Sequence, residues 1–355
     1  MSEEKIRIGF TQGDINGIGL EIILKTFAEH ELLDICTPVL FSSQKTIGYY
    51  RNLIGMDELH INFVRDVKQI QPKKINVVVC YEEEVAFDIG KSTNEGGKYS
   101  LISLQRASEA AKQGVVDVLV TAPINKKNIQ SDSFKFPGHS EFLASYFGFE
   151  KGAMMLMCAD DLRVGLVTGH VPLNQVSSLI TEDRLADKIV HLNKTLKVDF
   201  NIQKPKIAVL SLNPHAGDNG VIGTEDDTII KPAINRLKEN ILVYGPYPAD
   251  GFFGSETYKQ FDAILAMYHD QGLIPFKALS FNNGVNFTTG LPVVRTSPDH
   301  GVAYDIAGKN VADANSFRKA IYMAIDVYRN RKTYKEASAN PLKSNPISKQ
   351  TSFRD

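Results

Sequence analysis

The sequence predicts an α/β fold with a largely parallel sheet. Short apolar, β-branched runs recur along the chain, helix-length amphipathic stretches separate them, and the runs are continuously hydrophobic rather than alternating. Strands of that kind lie in sheets covered on both faces, as when crossover helices connect parallel strands.

The first run is IRIGF at 6–10, followed by INVVVC at 75–80, VVDVLVTAP at 115–123 and RVGLVTGHVP at 163–172. KIAVLSLNPHAG at 206–217, FDAILAMYHDQG at 261–272 and GVNFTTGLPVVRT at 284–296 continue the series. Periodicity predicts helices over 101–113, 181–197, 226–239 and 315–330. From about Arg331 the chain turns to Lys, Ser, Asn and Pro with little to bury, which predicts a mobile or loosely docked tail. No repeat and no Gly/Ser/Pro linker marks a boundary, so any domains are expected to be discontinuous.

At 355 residues and 43% hydrophobic composition the chain can build two cores. A net charge of −1 gives no bulk attraction to nucleic acid or an acidic membrane and points to a small-molecule partner. The opening MSEEK has no signal-peptide pattern and no run reaches membrane-spanning length, so the expected location is cytoplasmic. Cys36, Cys80 and Cys158 are odd in number and set among apolar neighbours, which predicts reduced core thiols.

Several apolar runs stop abruptly at Gly, Pro, His, Asp or Asn, a pattern that core packing does not explain, and carboxyl ends of parallel strands are where α/β proteins bind ligands. His170, His215 and His269 each follow such a run, whereas His30, His60 and His191 sit in helix-like or polar surroundings. Three neutral imidazoles can ligate a divalent metal and leave positions open for substrate; singly, each reads more readily as a hydrogen-bonded structural histidine, and the threefold repeat of one placement reverses that preference. Asp250 and Asp270 lie at strand ends too, placed to orient an imidazole, accept a proton or cap a turn. Lys277, Arg295 and Lys126, with Asn286 and Ser140 as neutral neighbours, suit an anionic substrate, the alternative being partly buried ion pairs. The glycine segment TQGDINGIGLEI at 11–22 fails the dinucleotide fingerprint, because Ile22 stands at its third glycine, and reads as a tight turn or a ligand loop.

These residues fall within an ordered set: GDINGIG at 13–19, TAPINK at 121–126, PGHSEFLA at 137–144, TGHVPL at 168–173, LNPHAGDNG at 212–220, PADGFF at 248–253, AMYHDQGLIPFK at 266–277 and GVNFTTGLPVVRTSPDHGVAYDIAGK at 284–309. The set resembles the 4-hydroxythreonine-4-phosphate dehydrogenase family of pyridoxal phosphate biosynthesis, over about residues 5–330. The resemblance implies that His170, His215 and His269 bind a divalent metal (Zn, Mg, Mn or Co), and that His139, Ser140, Lys277, Asn286 and Arg295 contact substrate. DHGVAYDIAGK at 299–309 also resembles a cofactor loop of isocitrate and isopropylmalate dehydrogenases, which implies NAD, or NADP as the alternative, at His300, Gly301, Asp305 and Ile306.

The same resemblance implies two α/β/α domains with the active site in the cleft between them: 1–128 with 286–340, then 129–285, followed by a tail at 341–355. It further implies a homodimer with sites completed across the interface. The expected reaction is oxidation of 4-phosphooxy-L-threonine, then loss of carbon dioxide to leave 3-amino-2-oxopropyl phosphate. Asp250 or Asp270 is the expected proton acceptor. Two departures stand out: Ile15-Asn16 replaces the usual Pro-Ala, and Ser140 replaces the usual Thr while keeping a hydroxyl. Rival readings are a dehydrogenase of 4-phosphoerythronate or phosphothreonate, a metal-dependent hydrolase, and a binding protein or phosphate acyltransferase.

Overall fold

A computed structural model describes residues 5–29, 31–149, 153–280 and 282–340. Its strands are β1 (Ile6–Thr11), β2 (Cys36–Ser42), β3 (Ile61–Val64), β4 (Ile75–Val79), β5 (Val118–Thr121), β6 (Met154–Ala159), β7 (Leu162–Leu166), β8 (Lys206–Leu210), β9 (Leu242–Tyr247), β10 (Ala263–Ala266), β11 (Val285–Thr289) and β12 (Val294–Pro298). They form one sheet in the order β3-β4-β2-β1-β5-β12-β11-β6-β7-β10-β8-β9.

The parallel expectation holds for two blocks, β3 to β12 and β7 to β9 in that order, and fails at the centre. There β11 and β6 run antiparallel to their neighbours. GVNFTTGLPVVRT, read as one run, is a hairpin: Gly290 takes φ +79°, a conformation open to glycine, and the chain reverses before β12.

This hairpin positions the chemistry. Successive strand residues face opposite sides. Phe287, Leu156 and Val294 therefore enter the main core. Register puts Asn286 opposite Ser297 and Met157, and Thr288 opposite Arg295 and Met155, so these six share the other face. Phe10 on β1 anchors the core edge-on against Phe27 at 5.1 Å, with Phe317 at 5.8 Å. Deleting a ring there costs about 3–5 kcal/mol.

The predicted helix at 101–113 starts earlier, as Asn94–Lys112, because the Thr93 hydroxyl accepts from Gly96 N–H and caps it. The 181–197 helix is observed as Glu182–Val198, and 226–239 divides into a π-helical turn, Asp226–Ile230, and an α-helix, Lys231–Leu237. The last helix runs Asn315–Ser338, which corrects the predicted tail from Arg331. Arg331 pairs with Asp199 at 2.7 Å and donates to Leu291 O, so this stretch docks; 341–355 lies outside the described residues. Cys36 and Cys158 are buried free thiols, and Cys80 is only partly buried. No helix among the described residues is long and apolar enough to cross a membrane.

His191 donates to the Thr289 hydroxyl at 2.6 Å, and burial, then Lys188 and Lys194, push its pKa down to about 4. Between about 4 and the ordinary value near 6.5, the unfolded chain therefore binds a proton that the folded chain refuses. Stability falls as pH drops through that window. Thermal melts at several pH values check this, and His191→Gln should lessen the loss.

Candidate active site

The polar face of the central strands floors a cleft of about 740 Å³. Its walls are the loop after β5, the start of helix His139–Phe147, helix His269–Ser280, and the loop after β12. The site thus sits on a sheet face as well as at strand ends.

Arg295 is only 2% exposed. Its guanidinium donates to the Thr121 hydroxyl at 2.6 and 3.1 Å, to Thr288 at 2.9 Å and to Ser140 at 3.5 Å. All three partners are neutral, and among the described residues no carboxylate pairs with it. Burial lowers its pKa to about 10, against a smaller opposing effect of Glu141. A buried cation without a counterion costs several kcal/mol, which a bound anion offsets. The ion-pair alternative therefore fails for Arg295. Lys277 does meet a carboxylate, Asp299 at 3.1 Å at the cleft wall, but its side chain stays half exposed and open to the cleft.

Three buried polar atoms at this cleft, His139 Nε2, Asn286 Oδ1 and His300 Nε2, have no protein partner. Buried polar groups are rarely left so, and their convergence marks where a polar ligand completes the structure. Burial, then the Arg295 and Lys126 charges, holds the His139 pKa well below the usual histidine range, so the ring is neutral.

His170, His269 and His215 follow the adjacent parallel strands β7, β10 and β8. Gly272 lets helix His269–Ser280 press on β7; a Cβ there would lie 2.9 Å from Val164 Cγ1. The close approach sets the His170 and His269 ring centroids 5.6 Å apart. Two imidazoles bound tetrahedrally to one ion at about 2.1 Å place their centroids roughly 5 Å apart, so the pair fits a shared metal. Asp270 Oδ1 accepts from His269 Nδ1–H at 2.7 Å, which leaves Nε2 free to ligate. Burial, then Lys126, lowers the His170 pKa and favours its neutral, ligating form; Lys126 Nζ is 3.5 Å from Nε2 and Glu141 Oε1 is 4.0 Å from Nδ1.

His215 stands apart, since it does not line this cleft. It opens a left-handed run, with φ of 53, 53, 80, 43 and 55° from His215 to Asn219. Non-glycine residues there cost roughly 1–2 kcal/mol each. Buried Asp226 holds the base of the turn by accepting from Leu212 N–H and Asn213 N–H. Among the described residues no three potential ligands gather within one chain.

His139, Ser140, Lys277, Asn286, Arg295, His300 and Gly301 line the cleft, whereas Asp250, Asp305 and Ile306 do not. Sequence reasoning missed Glu141, Arg184, Lys188 and the Thr121 and Thr288 hydroxyls that cradle Arg295. Glu141 adjoins His139-Ser140 in sequence, and Arg184 and Lys188 have the i,i+4 spacing of one helix face, so these signals were present.

A family model described as "Pyridoxal phosphate biosynthetic protein PdxA" matches residues 34–324. The 4-hydroxythreonine-4-phosphate dehydrogenase of Bacteroides thetaiotaomicron is 50% identical over 344 residues, 97% of this chain and 94% of that one. The protein of the same name from Sulfurihydrogenibium is 42% identical over 328 residues, 92% of this chain and 100% of that one. The crystal structure of 4-hydroxythreonine-4-phosphate dehydrogenase from Klebsiella pneumoniae superposes with a TM-score of 0.76 at 31% identity, covering 92% of this chain and all of that one. With the family model matching residues 34–324 and a 50% identical relative covered almost throughout, the chain belongs to the pyridoxal phosphate biosynthetic protein PdxA family.

Proposed function

We propose that this chain oxidises 4-phosphooxy-L-threonine with NAD to 2-amino-3-oxo-4-phosphooxybutanoate, which decarboxylates to 3-amino-2-oxopropyl phosphate. The observation that carries this reading is the buried, counterion-free Arg295 opening on the same cleft as the paired imidazoles of His170 and His269. His170 and His269 would hold a divalent cation, which would supply acidification of the substrate hydroxyl, and NAD would be the acceptor of the hydride on the carbon that bears it.

Arg295 binds one anionic end of the substrate through the guanidinium N–H that its hydroxyl partners leave free, and Lys277 adds charge from the cleft wall. Asp270 orients His269 and Asp250 lies outside the cleft, so neither is a free base. Glu141 lies in the cleft beside His170 and takes the hydroxyl proton in their place. Neutral His139 and Asn286 bind the remaining polar groups of the substrate, and His300 with Gly301 meets the dinucleotide. The β-keto acid then loses its C1–C2 bond, carbon dioxide departs, and C2 is protonated. We also read the cleft as lying between the two lobes expected at 1–128 with 286–340 and at 129–285.

The reading includes a homodimer in which His215 completes the partner's metal site. Supporting it, Leu173, Val221 and Ile274, which follow His170, His215 and His269 closely in sequence, are 72%, 80% and 66% exposed. Large apolar side chains grouped around three site loops suit burial against a second copy. Mixing inactive His215→Ala and His269→Ala chains should then restore about a quarter of wild-type activity, because half the dimers are mixed and each holds one intact site. Absence of recovery after subunit exchange would contradict the shared site.

Substrate choice is tested by NADH formation with 4-phosphooxy-L-threonine against 4-phosphoerythronate and phosphothreonate. The amino acid should give the highest kcat/KM; preference for either hydroxy acid would move the assignment to that neighbouring activity. NADP offered in place of NAD, and Zn, Mg, Mn and Co compared at fixed NAD, assign the cofactors.

A further inference from the structure

The proposed chemistry leaves the fully buried carboxylate of Asp14 unused. Asp14, in the glycine loop after β1, has no Lys or Arg partner among the described residues. Its Oδ1 accepts from Asn16 N–H at 2.9 Å; its Oδ2 accepts from Asn128 Nδ2 at 2.8 Å and from the Tyr304 hydroxyl at 2.7 Å. Those partners lie in three separate loops. Asn128 belongs to the loop that carries Lys126, and Tyr304 to the loop that carries His300 and Gly301. Asn125 Nδ2 also donates to the Tyr304 oxygen at 3.2 Å, and Ile18 N–H donates to Val302 O at 3.0 Å.

Two adjacent glycines make room for this junction. A Cβ at Gly96 would sit 2.6 Å from Asp14 Oδ1, and one at Gly97 would sit 1.9 Å from Asn128 O. Both lie in the first turn of the 19-residue helix Asn94–Lys112, whose amide dipoles favour a negative charge at that end. Burial, with the Asp14 hydrogen bond, raises the Tyr304 pKa to about 12, so the phenol stays a donor at any working pH.

We propose that Asp14 is a positioning residue for dinucleotide binding: through Tyr304 it fixes the backbone on which His300 and Gly301 face the cleft. The inference rests on the reading above that this loop meets the dinucleotide. Nothing in the glycine loop itself touches the cleft, so its effect is transmitted by the loop it holds.

The test is NAD binding by titration calorimetry, with steady-state kinetics, on the full-length metal-loaded protein. Tyr304→Phe keeps the ring and removes one bond to Asp14. The NAD Kd and KM should rise about five- to tenfold while kcat and the KM for the phosphorylated substrate stay within about twofold. Asp14→Asn should raise the NAD Kd at least as far, and adding Tyr304→Phe to it should change the Kd less than the same substitution does in the wild type, since the two variants share one bond. A merely structural bond would lower Tm or the active fraction and leave the NAD Kd unmoved. An unchanged Kd in Tyr304→Phe, or independent multiplying effects in the double variant, overturns the proposal; if Asp14→Asn does not fold, Tyr304→Phe decides alone. Wild-type protein that binds NAD yet oxidises no phospho-hydroxyacid sinks the dehydrogenase reading while the Kd comparison still decides this one. Wild-type protein that does not bind NAD overturns both.

Discussion

Arg295→Met should lower kcat/KM for the phosphorylated substrate by on the order of 10²–10⁴-fold without destabilising the protein. Removing one member of a desolvated, hydrogen-bonded charge pair costs about 3–5 kcal/mol, and here the other member is the bound anion. The unliganded protein behaves oppositely. It already bears the penalty of a buried cation whose partners are the hydroxyls of Thr121, Thr288 and Ser140. An unbranched apolar side chain of similar length removes that penalty, so Tm should hold or rise while activity collapses. Arg295→Lys should not rescue, because an ammonium cannot offer the planar fork that reaches two threonines and an anion together. Steady-state kinetics with thermal melts separate the two effects. A kcat/KM within tenfold of wild type would remove Arg295 from the site.

The second large effect is expected at the imidazole pair. His269→Ala or His170→Ala should abolish stoichiometric metal binding and lower kcat by at least ~10³-fold, as expected when a rate depends on a metal-acidified group. Asp270→Asn should be milder, about 10–100-fold in metal affinity, since it keeps His269 and loses only the carboxylate that fixes its tautomer. Metal analysis beside kcat orders the variants. Full metal content in both alanine variants would show that 5.6 Å between the rings is a contact without a ligand.

Much of this was legible in the sequence where a local pattern determines the outcome. Apolar runs ending in His170 and His269 mark strand ends, and β7 and β10 are indeed neighbours whose following loops meet. Lys277 and Arg295 could both be picked out as site cations, but their difference could not. Asp299, paired with Lys277, is 22 residues away in sequence, and Arg295 is held by the hydroxyls of Thr121, Thr288 and Ser140 from three elements. The reversal at Gly290 was missed because apolar residues continue on both sides of it and mask the turn. Asp14 looked like a turn residue; its partners Asn128 and Tyr304 are brought to it only by tertiary folding. The tail was misread at Arg331 because a polar composition hides a single ion pair to Asp199 that docks the last helical turns. For His215, the sequence placed it after the right strand, β8, but carries no sign of the left-handed turn that keeps it out of its own chain's cleft.

We propose that this cleft performs metal-assisted hydride transfer from a phosphorylated hydroxy amino acid. NADH formation from 4-phosphooxy-L-threonine, measured before chelation, after metal removal and after return of a divalent ion, tests it most directly, with free phosphate followed in the same samples. NADH is expected only in the first and third samples, with no phosphate release in any. NADH formation undiminished after verified metal removal, or phosphate released without NAD, would contradict it.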